Sequence, residues 1–233
     1  MTDLLFPAPD ICTLPVRGQT ALYPVHRIFC VGRNYAEHAR EMGNEVDRDA
    51  PFYFTKSLSA FCPTGQSVPY PPGTANFHHE MELVVAIGAP VFRATPKQAQ
   101  AAVFGYACGL DMTRRDLQAA AKAGQKPWDT AKDVERSAVI AGLTPAAAFG
   151  AVGAQRIALT LNGGVRQNAQ LADMVWSVVD VICHLSTLYH LAPGDVILTG
   201  TPAGVGPVVP GDVLAGEIDG LDPVTLTITP PEV

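Results

Sequence analysis

Proline and glycine punctuate this chain from end to end, with 20 prolines and 21 glycines scattered through 233 residues rather than gathered into a low-complexity tract. Each proline removes a backbone donor and each glycine weakens a helix, so long helices are disfavoured and the chain is expected to consist of short segments joined by tight turns. The apolar fraction is 48% against 16% charged. A chain of this length and composition buries a real core and defaults to one principal domain.

Read for periodicity, residues 1–26 carry four prolines, Pro7, Pro9, Pro15 and Pro24, and form an irregular or edge-strand extension. The run Arg27 to Gly32 reads as a buried strand, after which Asn34 is placed to cap a short helix over Tyr35 to Met42. Pro51 to Lys56 reads as a strand, and the β-branched run Glu82 to Ile87 as a strand buried on both faces. The alanine-rich stretch Gln98 to Cys108 is helix-compatible and feeds a strand ending at Asp111. Thr113 with Asp116 resembles a capping box for a helix over Arg114 to Ala123, closed by Gly124. Arg156 to Leu161 is a strand and Asn162-Gly163-Gly164 a hairpin turn. Ser177 with Asp180 caps a helix whose apolar stripe is Val178, Val181, Ile182, Leu185, Leu188 and Tyr189. The tail alternates strands (Val196 to Thr199, Val213 to Ile218, Val224 to Ile228) with Pro-Gly and Asp-Gly turns, an antiparallel signature. The class is α+β with strands dominant.

The net charge is −6 and the pI about 5.4, so neither nucleic acid nor an anionic membrane surface is indicated as a partner, and a small soluble substrate is. Cys12, Cys30, Cys62, Cys108 and Cys183 make no C-x-x-C pair and are odd in number; they read as reduced core thiols. No signal-peptide pattern opens the chain and no apolar stretch reaches about 18 residues, so a cytoplasmic protein is expected.

Three acidic residues interrupt apolar strands: Glu80 and Glu82 at the head of one, Asp111 at the end of another. Positions i and i+2 of a strand share a face, so the two glutamates point the same way. Buried carboxylates are costly unless paired or metal-bound. Two readings stay open: salt bridges to Arg or Lys at a sheet edge, or a hard-cation site for magnesium, manganese or calcium. His78 shares the glutamates' parity and is a candidate fourth ligand; His79 faces away. His38 and Glu41, at i, i+3, are either a surface pair or an imidazole held by a carboxylate, as a water-activating base requires. His184 and His190 read as core-edge or exposed. Arg115 and Gln118, also i, i+3, follow Asp111 closely. Lys56 and Lys132 are either surface charges or oxyanion stabilisers. Gly200 to Gly206 is glycine-rich but lacks the G-K-[ST] of a P-loop, and reads as either a ligand-facing or a structural turn.

Taken together, the runs Cys30 to His38, His78 to Leu83, Gly109 to Asp116 and Leu198 to Gly206 resemble the fumarylacetoacetate hydrolase family, in the right order and over roughly residues 27 to 228. The resemblance implies a mixed β-roll or sandwich with a few short helices, with 27–233 as one catalytic domain behind the 1–26 extension, and usually a homodimer. It implies Mg2+ or Mn2+, with Ca2+ able to appear in a crystal, bound by Glu80, Glu82 and Asp111. His38 falls on the position of the base and Glu41 on that of its orienting carboxylate. Arg115, Gln118 and Lys132 fall on oxyanion or substrate-holding positions, Arg33, Lys56 and Thr201 on substrate-contacting ones, and the stretch around the first helix on a segment that often closes as a lid. Two departures stand out: Ser57 where proline commonly follows the lysine, and Asp133 where a small residue commonly follows the other.

The implied reaction is metal-dependent hydrolysis of the carbon–carbon bond of an acylpyruvate. The runs Asp47 to Phe54 and Lys126 to Lys132 resemble the branch that splits fumarylpyruvate to fumarate and pyruvate in gentisate-type aromatic catabolism. The alternatives are a general acylpyruvase or oxaloacetate decarboxylase, and an isomerase or decarboxylase of homoprotocatechuate breakdown.

Overall fold

Alternation along the strand Met81–Ile87 sends Leu83, Val85 and Ile87 to one side and Val84 and Ala86 to the other, all at 1% exposure or less. A strand that is apolar on both faces must be covered on both, and the computed structural model shows how; it describes residues 4–43 and 48–232. Asp47, which heads one of the runs quoted above, lies outside the described residues. The strand is central to an eight-stranded mixed sheet whose main path runs Phe52–Lys56, Arg27–Gly32, Asp195–Leu198, Met81–Ile87, Val103–Asp111, Ala138–Ile140, Phe61–Pro63.

One face packs Phe29, Leu83, Val85, Tyr106 and Leu110 against Ile157, Leu159, Leu214, Leu226 and Ile228, which belong to a five-stranded sheet of order Gly164–Gln170, Arg156–Leu161, Val213–Ile218, Val224–Thr229, Gln66–Pro69. The other face packs Ile28, Cys30, Val84, Ala86 and Leu198 against Leu14, Val16, Tyr23 and Val25 of the N-terminal segment, where the short strands Thr13–Leu14 and Tyr23–Pro24 pair. Each large apolar side chain so buried contributes about 1.5–3 kcal/mol. The strand-dominated α+β class with few short helices is thus observed, two stacked sheets supplying most of the core.

Six helices decorate the sheets among the described residues: α1 (Ala36–Glu41), α2 (Pro96–Ala102), α3 (Arg115–Ala123), α4 (Asp129–Lys132), α5 (Ala146–Phe149) and α6 (Val178–Leu188). The Ser177/Asp180 capping box is present at α6. Its buried stripe ends at Leu185, because Leu188 and the C-capping Tyr189 turn outward at 58% and 43% exposure. The alanine-rich stretch is helical only to Ala102, opened instead by a Thr95/Gln98 capping box and Pro96. None of these helices is long and apolar enough to cross a membrane.

Two expected caps are corrected. Asn34 does not cap α1; its side chain spans to Trp176 and Thr199, accepting from the Trp176 N–H at 2.7 Å and donating to the carbonyls of Trp176 and Thr199 at 2.9 and 2.8 Å. Thr113 lies in a strand, Thr113–Arg114, and α3 begins at Arg115 with no side-chain cap. The tail's antiparallel signature holds for Val213–Ile218 against Val224–Thr229, but three pairs are parallel: Asp195–Leu198 with Arg27–Gly32, Ala138–Ile140 with Phe61–Pro63, and Val224–Thr229 with Gln66–Pro69. Parallel partners lie far apart in sequence, and local alternation carries no record of them.

Candidate active site

At one end of the face that carries Val84 and Ala86, the same alternation places carboxylates where apolar side chains would otherwise continue. Glu82 follows the parity of Val84. Glu80 stands between the strands Phe77–His79 and Met81–Ile87, and its carbonyl accepts from the Asp111 N–H at 2.9 Å, which fixes the neighbouring strand ends in register. Glu80, Glu82 and Asp111 are 4%, 2% and 0% exposed. Each offers an oxygen within 4.8 Å of the others'.

Cations pair with these acids, as the salt-bridge reading has it, without dispersing the cluster. Lys132 Nζ donates to Glu80 Oε2, Asp111 Oδ2 and Thr113 Oγ1, each at 2.7 Å. Arg115 pairs with Glu80 Oε1. Lys56 Nζ lies 2.8 Å from Asp111 Oδ1, yet that oxygen accepts no hydrogen bond. Glu82 accepts from the Gly200 N–H at 2.7 Å. Gly200 has φ +97°, and a Cβ there would stand 2.8 Å from Asn34 Cβ, so glycine is needed for the loop to aim this N–H.

Burial disfavours ionisation of Glu80, but Lys132 and Arg115 outweigh it and hold its carboxyl well below the usual range. Burial, then repulsion from Asp111 and Glu80, pushes Glu82 well above it. An Asp111 oxygen that accepts no hydrogen bond, a Glu82 strained by like charges and an all-oxygen donor set suit a hard divalent cation. Cys30 lies near, and burial, then Asp111, pushes its thiol pKa well above the usual value; the cluster itself comprises the three carboxylates.

His38 Nδ1 is 3.3 Å from Glu41 Oε2, and both Glu41 oxygens accept from the Gly204 N–H at 3.1 and 3.2 Å. The pair is no surface ion pair: the His38 side chain is 9% exposed and lines the same cleft as the carboxylates, a space of about 440 Å³ counted to its open mouth. Burial lowers the His38 pKa against the pull of Glu80 and Glu41, leaving a neutral imidazole at neutral pH. The glycine-rich loop is therefore a donor to two site carboxylates, through Gly200 and Gly204.

Arg33, Arg115, Gln118, Lys132 and Thr201 also line the cleft. Arg115 Nη1 donates to Gln118 Oε1, and Thr201 Oγ1 accepts from the buried Gln167 amide at 2.8 Å. Lys56 is a correction: expected to touch substrate, it lies beneath Asp111 with its side chain fully buried, also bonded to Ser137 Oγ at 2.7 Å, and does not line the cleft. Lys132 is no surface charge either. His78 is a second correction, since it sits 2.8 Å from Asn76 Oδ1 outside the acidic cluster, and burial, then Arg115, brings its pKa down to about 4.

Ser57 and Asp133, the two departures, meet each other. Asp133 Oδ1 accepts from both the Ser57 N–H and its Oγ at 2.8 Å. Proline at 57 would lack that N–H, so the two departures are linked to each other. Two partly exposed hydrogen bonds are worth about 1 kcal/mol together. Asp133→Ala is expected to lower Tm by about 2–4 °C with kcat/KM left within about twofold; a thermal scan and an assay of the same preparation check both.

The family model described as Fumarylacetoacetate (FAA) hydrolase C-terminal matches residues 27–229. The chain belongs to the fumarylacetoacetate hydrolase family. Among its relatives in that family, a fumarylpyruvate hydrolase of Ralstonia sp is 48% identical over 193 residues, 82% of this chain and 100% of the relative. An oxaloacetate tautomerase of Escherichia coli (strain K12) is 41% identical over 205 residues, 88% and 93% of the two chains. The crystal structure of fumarylpyruvate hydrolase from Pseudomonas aeruginosa in complex with Mn2+ and pyruvate superposes with a TM-score of 0.94 at 41% identity, covering 98% of this chain and 100% of that one. As a member of the fumarylacetoacetate hydrolase family, the protein is an enzyme, a hydrolase of carbon–carbon bonds.

Sequence reasoning missed Lys122, Trp128 and Phe54, which line the cleft of this family member. Helical spacing was enough to find the first, since Lys122 follows Gln118 by four residues and so shares its face. The aromatics carried no local signal.

Proposed function

We propose that this enzyme hydrolyses an acylpyruvate, with fumarylpyruvate as its substrate and fumarate and pyruvate as its products, at a divalent cation held by Glu80, Glu82 and Asp111. The observation that carries the reading is the His38–Glu41 dyad facing the three-carboxylate cluster across one cleft. The Ralstonia relative and the Mn2+ and pyruvate complex support it. With the family match starting at residue 27, residues 1–26 are taken as an extension of one catalytic domain, and the enzyme as a cytoplasmic homodimer.

Bound there, a divalent cation would supply a docking point for adjacent keto and carboxylate oxygens and Lewis-acid polarisation of the leaving pyruvyl group. Glu41 accepts a hydrogen bond from His38 Nδ1–H and so leaves Nε2 free to take a proton from water. That water attacks the distal acyl carbonyl. Because Arg115 occupies Gln118 Oε1, the amide NH2 of Gln118 is left to donate to the developing oxyanion, with the Lys132 charge close by. As the carbon–carbon bond breaks, imidazolium His38 returns its proton to the departing pyruvyl carbon or oxygen.

A second reading is oxaloacetate tautomerisation or decarboxylation, favoured by the Escherichia coli relative; in the tautomerisation the same dyad would carry a proton between carbon and oxygen with no water attack. A spectrophotometric panel of fumarylpyruvate, acetylpyruvate and oxaloacetate with Mg2+ or Mn2+ separates the two. Release of pyruvate from fumarylpyruvate as the fastest reaction is expected, and turnover of oxaloacetate alone would reject the hydrolase reading.

The depressed His38 pKa sets the pH profile. Protonated His38 is inactive, and burial shifts its titration below the usual 6.5, so kcat/KM should stay level from pH 8 down past about 6.5 and then fall about tenfold per unit. An acid limb that begins above 6.5 would contradict the burial.

A further inference from the structure

Two cations in the cleft have no anion among the described residues. Arg115, Lys132 and Lys56 are each committed to Glu80 or Asp111. Arg33 and Lys122 line the cleft too, but no ion pair or side-chain hydrogen bond joins either to a described residue, and Arg33 Nε is buried without a partner. Both are half-buried, whereas the three carboxylates are buried, so they mark the more open end of the same space.

Their placement is built rather than incidental. Arg115, Gln118 and Lys122 fall at i, i+3 and i+7 of α3, one face, with Lys122 about 10 Å along the axis from Arg115. Arg33 has φ +59°, a left-handed conformation that a non-glycine residue keeps only where its surroundings impose it. That conformation sets its guanidinium carbon 5.8 Å from the Phe52 ring centre and 5.9 Å from that of Trp128. Lys122 Nζ approaches the same Trp128 ring at 5.1 Å. A Cβ at position 32 would lie 2.7 Å from the Phe52 ring, so Gly32 is what lets Phe52 close over the strand end beneath Arg33. Burial, then Arg33 and Arg115, depresses the Lys122 ammonium below the usual lysine range, a repulsion that a bound anion would relieve.

We propose that Arg33 and Lys122, with the Trp128 ring in reach of both, form a carboxylate subsite for the far end of the substrate, so that the enzyme selects 2-oxo acids carrying a second, distal carboxylate. This rests on the reading of the cleft as an acylpyruvate site whose 2-oxo acid end docks on the acidic cluster. A flat unsaturated acyl arm then runs along α3 against Trp128, and its terminal carboxylate meets Arg33 and Lys122. Arg33 and Lys122 together also draw a dianion to this mouth against the net charge of −6.

The test uses two probes of equal length that the enzyme does not cleave, 2-oxopimelate and 2-oxoheptanoate, which differ in the distal carboxylate alone. Titrated calorimetrically into the protein in the presence of Mn2+, the dicarboxylate should bind at least about tenfold more tightly, the worth of one charge-assisted hydrogen bond. Lys122→Gln and Arg33→Gln should each collapse that ratio, and Lys122→Arg should keep it. Equal affinities for the two probes, a ratio that survives both neutral substitutions, or no binding of either probe overturns the subsite. A wild type that shows the ratio but releases no pyruvate from any acylpyruvate leaves the subsite standing and rejects the proposed reaction.

Discussion

His38→Ala is expected to lower kcat for fumarylpyruvate by about 10²–10⁴, the range lost with a general base, while Mn2+ still binds. The two effects separate because His38 touches Glu41 and the cleft, and is no member of the acidic cluster. A cavity of one imidazole on a short, partly exposed helix leaves the sheets that carry the carboxylates intact. Steady-state kinetics with a parallel Mn2+ titration reads both, and hydrolysis at the wild-type rate would remove His38 from the role of base.

Glu82→Gln should have opposite effects on the metal-free and metal-bound protein. Burial and two neighbouring carboxylates raise the Glu82 pKa in the folded state. A raised carboxyl contributes stability below its unfolded value of about 4.5, and that contribution is lost as pH rises through the folded value. Without metal, the neutral glutamine therefore makes the protein more stable at neutral pH than the wild type. With metal the order reverses. Loss of a direct ligand should weaken Mn2+ by more than the 10- to 100-fold typical of supporting residues. Mn2+ at 100 times its Kd should stabilise the wild type by about 2.7 kcal/mol, on the order of 5–10 °C in Tm, and should not shift the variant. Thermal scans with and without Mn2+ check both halves; a metal-free variant less stable than the wild type would show that the carboxylate is not strained.

What the sequence disclosed about this site was what local geometry determines. The i, i+3 spacing of His38 with Glu41 and of Arg115 with Gln118 and the Ser177/Asp180 box survive in the fold because each is decided within one turn, and Glu80 and Glu82 converge although Glu80 stands just outside the strand that holds Glu82. The errors came from side chains recruited by distant segments. Thr113 looked like a cap, but Lys132, nineteen positions on, takes its hydroxyl. Asn34 looked like a cap, but it ties the strand end to Trp176 and Thr199. Lys56 shared the family's substrate position, yet burial turned it into a brace for Asp111. The convergence of the acidic cluster depended on the pairing of Met81–Ile87 with Val103–Asp111, which no spacing encodes; only the resemblance of the four runs to a known family brought it within view.

Hydrolysis of fumarylpyruvate by protein stripped of divalent ions with a chelator, then resupplied with Mn2+ in steps, tests the central claim most directly. No pyruvate release is expected from the stripped enzyme, with recovery that saturates near one Mn2+ per chain. Full turnover by the stripped protein would mean that Glu80, Glu82 and Asp111 serve some purpose other than holding the ion.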